Sequence, residues 1–337
     1  MEKKSLWPIF WASITSFVSI ATFCTWGIYA ELHRPFKSYE KERYILIPYG
    51  QSSAKIAYGL ERNGAVSSAI LLRWYLRWRG PEFSLKAGEY RLDRPLSLIE
   101  VAKKIHQGDI HLYRATLPEG LTFRQVTARL ESDGFGPSTD FNEICLTPDL
   151  IIDLDREAPN LEGYLFPETY YFAKNTSTHL IISRFVEEFR LIWTKSRQQQ
   201  ADDLGMTLRE IVTLASLIEK ETSMPSERPL VSAVLHNRLK RDMKLECDPT
   251  VIYAVQTIKK YDGTIHRSDL ALDSPYNTYR YPGLPPGPIA SPGLTSIDAA
   301  LRPAEVDYLY FVSRNNGSHI FSNNYRDHHK AVLEYQR

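Results

Sequence analysis

Leu208-Arg-Glu-Ile-Val-Thr-Leu-Ala-Ser-Leu-Ile-Glu-Lys-Glu-Thr222 decides how the second half of this 337-residue chain is read. Ile211, Leu214, Ala215 and Ile218 recur at spacings of three and four, the stripe of an amphipathic helix. Three residues on, the stripe reaches Glu221, while Glu219 is rotated roughly 160° away at about 3.6 residues per turn. A carboxylic acid on a packed face loses hydration in its charged form. Its pKa rises, and it can then serve as a general acid near neutral pH. The plainer alternative is that Glu221 only pairs with a nearby arginine, Arg228 or Arg238. Helix-end glutamates are common, so periodicity alone leaves both readings open.

Downstream, 229–241 reads as another helix, and polar residues follow that could line a cleft: Asn237, Arg238, Glu246, Asp248, Thr250, Tyr276, Asn277 and Thr278. Each is also at home in an ordinary turn. Residues 276–292 are rich in Pro and Gly, with five prolines between 282 and 292, and are expected to form a shaped loop rather than a helix. A short helix is expected over 296–301, and a strand over 307–313 pairs with 317–321 across an Asn-Asn-Gly turn. Upstream lie a long amphipathic helix (180–197), a dense aromatic segment (161–172), a Thr122-capped helix and a strand over 113–117. Residues 42–112 read as a small α+β unit with strands near 44–48 and 86–92. Its helices fall over 52–63, over 69–77, and from Ser97, whose partner Glu100 completes a capping box.

The N-terminus carries a different signal. Met-Glu-Lys-Lys precedes residues 6–30, which hold no charge. A helix of that length extends about 37 Å at ~1.5 Å per residue, enough to cross a hydrocarbon core of ~30 Å. Trp7, Trp11, Trp26 and Tyr29 sit towards its ends, where amphipathic rings favour the interface. Lys3 and Lys4 place residues 1–5 in the cytoplasm, against a weaker opposing signal from Arg34 and Lys37. The run is too long for a cleaved signal peptide and no Ala-x-Ala follows it, so an uncleaved anchor is expected, with the rest of the chain outside the cytoplasm. Charge is balanced at 41 Lys+Arg against 40 Asp+Glu, so nothing points to nucleic acid. Three scattered cysteines make neither a disulfide framework nor a zinc site, although spacing permits a Cys145–Cys247 bridge. With no CxxC or HExxH, a metal hydrolase is not expected, and no cofactor is implied.

Ordered motifs then accumulate: Ala215-Ser-Leu-Ile-Glu-Lys-Glu-Thr222, Glu227-Arg228, Val234-Leu-His-Asn-Arg-Leu239, Asp248-Pro-Thr-Val-Ile-Tyr253, Ser274-Pro-Tyr-Asn-Thr-Tyr279 and Gly283-Leu-Pro-Pro-Gly-Pro-Ile-Ala-Ser-Pro-Gly293. Tyr308-Leu-Tyr-Phe-Val312 and His319-Ile-Phe321 end the series, and Leu161-Glu-Gly-Tyr-Leu-Phe-Pro-Glu-Thr169 and Lys86-Ala-Gly-Glu-Tyr90 precede it. Over essentially its whole length the chain resembles the MltG (YceG-like) family of endolytic peptidoglycan transglycosylases. The resemblance implies an α+β protein of the inner membrane with a single span. A cytoplasmic stub (1–5) and a transmembrane helix (6–30) would lead to a LysM-like domain (42–112) and a catalytic domain (113–337). The family's catalytic glutamate falls in the Glu-Lys-Glu-Thr motif, and its second member, Glu221, is followed by a hydroxyl residue as in other lytic transglycosylases; Glu219 is the fallback.

The resemblance further implies cleavage of the β-1,4 bond between N-acetylmuramic acid and N-acetylglucosamine, closing a 1,6-anhydro ring. Glycan strands are the implied substrate, and a peptidoglycan synthase of the elongation or division machinery the implied partner. Tyr276, Asn277 and the 282–292 loop are candidates for the saccharide groove, with Asn237, Glu246, Asp248 and Glu168 as further supporting residues. Where the family usually has an amide, this chain carries Glu246, a change expected to push the pKa of Glu221 upward. His236 likewise replaces a more apolar residue. Two rival readings are a non-catalytic peptidoglycan-binding scaffold and a hydrolytic muramidase using Glu246 or Asp248 as its second carboxylate.

Overall fold

The computed structural model describes residues 7–36 and 42–336. The chain is mixed α+β and divides into two compact units, one ending at Tyr113 and the other beginning at Arg114. The expected cytoplasmic stub 1–5 and the first residue of the expected span lie outside the described residues.

The first unit contains α1 (Trp7–His33), β1 (Arg43–Ile47), α2 (Ser53–Arg62), α3 (Ala69–Arg79), β2 (Gly88–Leu92) and α4 (Leu98–Gln107). Antiparallel β1 and β2 place Ile45 opposite Tyr90 and Ile47 opposite Gly88. One face of this ribbon and the inner faces of α2, α3 and α4 enclose Ile45, Leu60, Leu72, Tyr90, Leu98 and Ile105. The Ser97–Glu100 capping box forms as expected and satisfies orphan amides at the start of α4. Leu32, near the end of α1, is buried in the same core, and the Phe36 N–H donates to the Leu96 carbonyl (3.0 Å).

The rest of α1 is different: Phe17, Val18, Ile20 and Phe23 are exposed. At 27 residues, or roughly 40 Å, the helix is long and apolar enough to cross a membrane. Thr15, Thr22 and Thr25 turn their hydroxyls back to carbonyls four residues earlier (2.7–3.0 Å), so these polar groups are satisfied without water.

β3 (Leu112–Thr116) straddles the boundary and pairs with β4 (Thr169–Ala173). Between them come α5 (Phe123–Ser132) and α6 (Ser138–Cys145). After β4 follow α7 (Thr178–Ile192), α8 (Lys195–Asp203), α9 (Leu208–Glu221), α10 (Arg228–Leu239), α11 (Asp248–Gln256), α12 (Arg267–Leu270), α13 (Leu294–Leu301), β5 (Tyr310–Ser313), β6 (His319–Ser322) and α14 (Tyr325–Tyr335). The helix expected over 180–197 is two helices: the chain leaves helical geometry at Trp193, and Thr194 caps a new one by accepting the Arg197 N–H (3.3 Å). The expected terminal hairpin forms, with Phe311 opposite Phe321, although its first strand starts at Tyr310.

α9 is the axis of the second unit. Every residue from Ile211 to Ile218 is buried, including Thr213 and Ser216, and α8, α10, α11 and α13 pack around it. The apolar stripe therefore understates the burial, because α9 has no solvent face over these two turns. Cys145 and Cys247 are separate buried thiols, so the bridge that spacing allowed does not form.

Candidate active site

The C-terminal end of α9 is held by the segment that follows the Tyr276–Tyr279 turn. The Pro-rich 282–293 segment is largely buried, unusual for irregular backbone, and several of its backbone groups find partners on neighbouring elements. The Ile289 N–H donates to Ser216 Oγ (3.1 Å) and the Gly293 N–H to Glu219 Oε2 (3.1 Å). Ser291 exchanges backbone hydrogen bonds with Gly120 and Leu121 (2.8 Å each). Gly163 meets this segment so closely that a Cβ would lie 2.6 Å from Pro288, and its φ of +85° also demands glycine.

Glu219 and Glu221 leave this helix end in different directions and into different company. The Glu219 side chain is only 6% exposed and pairs with Arg228 (2.9 Å), which also reaches Glu119 (3.3 Å) and the Thr295 hydroxyl. Burial and the neighbouring Glu119 charge push its carboxyl up, against the Gly293 N–H and Arg228. Gly293 allows this crowding, since a Cβ there would fall 1.8 Å from Glu119 Oε1. Glu219 is thus committed as half of a buried ion pair.

Among the described residues, Glu221 has no such partner. It is half-buried at the end of α9, and burial pushes its carboxyl up to about 7, helped by Asp248 and opposed by a hydrogen bond from the Cys247 thiol and by Arg238. Arg238 does not form the ion pair considered from sequence. Its guanidinium is spent on the carbonyls of Leu309 (2.7 Å), Lys244 (3.0 Å) and Leu245 (2.9 Å) and on Glu246 (3.2 Å). Arg228, the other arginine considered, belongs to Glu219. The arrangement leaves Glu221 as a carboxyl that exchanges its proton near neutral pH, with no fixed counter-ion among the described residues.

Several expected residues reach the same place and others do not. Asp248 opens α11 beside Glu221 and accepts the Tyr279 hydroxyl (2.7 Å). Glu246 is turned away into its Arg238 pair and is not among the charges that shift Glu221, so the carboxylate expected to raise its pKa is Asp248 instead. Asn237 spends its amide on the carbonyls of Val306 (2.8 Å) and Tyr308 (3.0 Å). Asn277 is fully buried and donates to the Leu270 (3.0 Å) and Leu272 (2.9 Å) carbonyls. It shapes the turn that presents Tyr276 and Tyr279, and does not meet solvent as a sugar ligand would. Tyr276 is half-buried, its ring 4.9 Å from that of Tyr253. Glu168 is exposed, accepting the Thr169 N–H (2.8 Å). His236 is buried and donates from Nε2 to the Ala300 carbonyl (2.9 Å).

Other buried titratable groups were given no role by the sequence. Cys247 had no motif to mark it as the neighbour of Glu221. Glu162 is a second buried acid, pushed up to about 8 by burial despite accepting the Phe123 N–H (2.9 Å) and contacting the Tyr253 hydroxyl (3.2 Å). Its position in an aromatic run was the available signal. Glu227 accepts from the His319 backbone (2.9 Å) and ring Nδ1 (2.6 Å); these bonds outweigh burial and hold its carboxyl low. Among the described residues, no cluster of His, Cys, Asp or Glu has the makings of a metal site.

A mixed α+β unit built round a buried helix, with a recessed acid at that helix's end that forms no ion pair among the described residues, defines a class of candidate single-acid enzymes. Residues 45–334 match the model of the YceG-like family, and the chain belongs to that family. It is 32% identical over 307 residues to a Bacillus subtilis protein named endolytic murein transglycosylase, covering 86% of this chain and 84% of that one. A Streptococcus pneumoniae protein of the same name is 29% identical over 86% of this chain, which spans 57% of its length. The crystal structure of a YceG-like protein from Listeria monocytogenes superposes with a TM-score of 0.60 at 30% identity, covering 87% of this chain and 99% of that one.

Proposed function

We propose that this protein is an endolytic murein transglycosylase in which Glu221 alone carries the proton. The observation behind this reading is a half-buried carboxyl with no salt-bridge partner among the described residues, pushed up by burial to about 7. In protonated form Glu221 gives its proton to the glycosidic oxygen leaving the β-1,4 bond between N-acetylmuramic acid and N-acetylglucosamine. As a carboxylate it then takes the proton from the muramic C6 hydroxyl, whose oxygen attacks C1 and closes the 1,6-anhydro ring. Because substrate supplies the nucleophile, one residue alternating between acid and base suffices, where a glycosidase of the usual kind needs two carboxylates. Tyr276 and the exposed edge of the 282–287 segment are assigned to the saccharide groove. The first unit is proposed to be LysM-like, α1 to be a single membrane span with the second unit outside the cytoplasm, and a peptidoglycan synthase to be a partner.

The decisive experiment is product analysis on purified sacculi. Wild-type protein should release anhydro-ended fragments, and Glu221→Gln should release none without any fall in its melting temperature. Glu219→Gln should keep far more activity but lose about 1–3 kcal/mol of stability, since it leaves the buried Arg228 with a weaker partner. Reversed losses would transfer the role to Glu219. A hydrolytic muramidase is the second reading, favoured by the influence of Asp248 on Glu221. It predicts reducing ends without the anhydro mass.

A further inference from the structure

We infer that the outer face of α3 lies in the anionic headgroup layer of the bilayer entered by α1. The inference rests on α1 being a membrane span. Ile70, Trp74 and Trp78 recur every four residues along α3 and form one stripe, 70%, 53% and 69% exposed. Arg73, Arg77 and Arg79 are exposed on the same helix, which carries no acid. Arg73 stands over the Tyr58 ring (5.6 Å). The stripe borders a shallow groove of about 630 Å³ lined also by Phe83 and Ser84. Exposed tryptophans spaced along one helical face, flanked by arginines, suit the boundary between acyl chains and phosphates: the indole takes the interface and the guanidinium reaches the phosphate.

Two independent observations name this occupant. Leu32 is buried in the core to which α3 contributes Leu72 and Leu76, and Phe36 hydrogen-bonds to Leu96. The end of α1 is therefore built into the same unit, and that unit stands where the chain leaves the bilayer. Charge agrees. Residues 1–113 hold 16 Lys+Arg against 10 Asp+Glu, whereas residues 114–337 hold 25 against 30, so the near-neutral total conceals a cationic first unit. An anionic surface attracts that unit within a screening length of about 8 Å at physiological salt.

The test uses the full chain in vesicles of phosphatidylcholine with phosphatidylglycerol, Cys24→Ser removing the exposed thiol. Single spin labels are placed at Trp78→Cys, at Val18→Cys within α1, and at Arg326→Cys on exposed α14. Collision with oxygen, which prefers lipid, is compared with collision with a water-soluble nickel chelate. The label at 78 should report the interface and the label at 326 water. Reversing Arg73 and Arg77 to Glu should lower the lipid-facing population at 78 roughly fivefold or more. A water-like label at 78 beside a lipid-like label at 18 overturns the inference and leaves the span standing. Water-like signals at both overturn both. If the label at 78 stays in water and is shielded only on adding soluble glycan fragments, the stripe is a sugar surface and the inference falls.

Discussion

At the scale of single residues, what separates Glu221 from Glu219 is company rather than position along the helix. Both are drawn into the protein and both are pushed up by burial, but Glu219 faces Arg228 while Glu221 faces a thiol and a second acid. The rate should therefore depend on protonated Glu221 and fall as pH rises through about 7. A pH-rate profile on glycan substrate checks this, and an alkaline limb well below that value would argue against Glu221 as the acid. Stability carries a related signature. Glu162 and Glu221 bind a proton more tightly folded than unfolded, so the native state holds extra protons between the ordinary carboxyl pKa and about 8 and 7 respectively. With more protons bound in the native state, stability falls as pH rises across that window. Glu162→Gln should keep both hydrogen-bond contacts and flatten the fall in melting temperature between pH 5 and 8. An unchanged slope would mean that Glu162 titrates normally.

At the scale of elements, local chemistry in the sequence located most helices and misjudged where some end. Ser97, Thr122 and Thr207 each announce a capping box that forms. Thr194 caps α8 with its side chain alone, without a capping box, and it sits inside an apolar pattern that continues across Ile192 and Trp193, so two helices read as one. α11 was hidden because Asp248-Pro249 resembles a turn, although Pro at the first helical turn is favourable there. Gly293 shows what only packing imposes: its φ is unremarkable, and the requirement comes from Glu119, far away in sequence. Gly293→Ala should displace the Glu119 carboxylate and cost about 1–2 kcal/mol in a denaturant melt. In a Glu119→Ala background the same change should cost much less, and an undiminished cost would place the clash elsewhere.

At the scale of the whole molecule, the chain has two units of opposite net charge, and the first opens with a helix most of whose described apolar residues are exposed. Two lysines in the middle of α1, Val18→Lys with Ala21→Lys, each add roughly 2.5–3.5 kcal/mol to the cost of insertion. The doubly substituted chain is expected in the supernatant after membrane sedimentation, with the wild type in the pellet. Equal distribution of the two would remove the grounds for an anchor.

The amino-acid order alone determined the apolar span, the small α+β unit ahead of a larger one, and the helix that ends in Glu219 and Glu221, because these rest on periodicity and capping within a few residues. Tertiary structure alone decided which glutamate is paired and which is left titratable. Arg228, Glu119, Gly293, Cys247 and Asp248 come from separate segments, and electrostatic environment depends on distance in space, which no local pattern encodes.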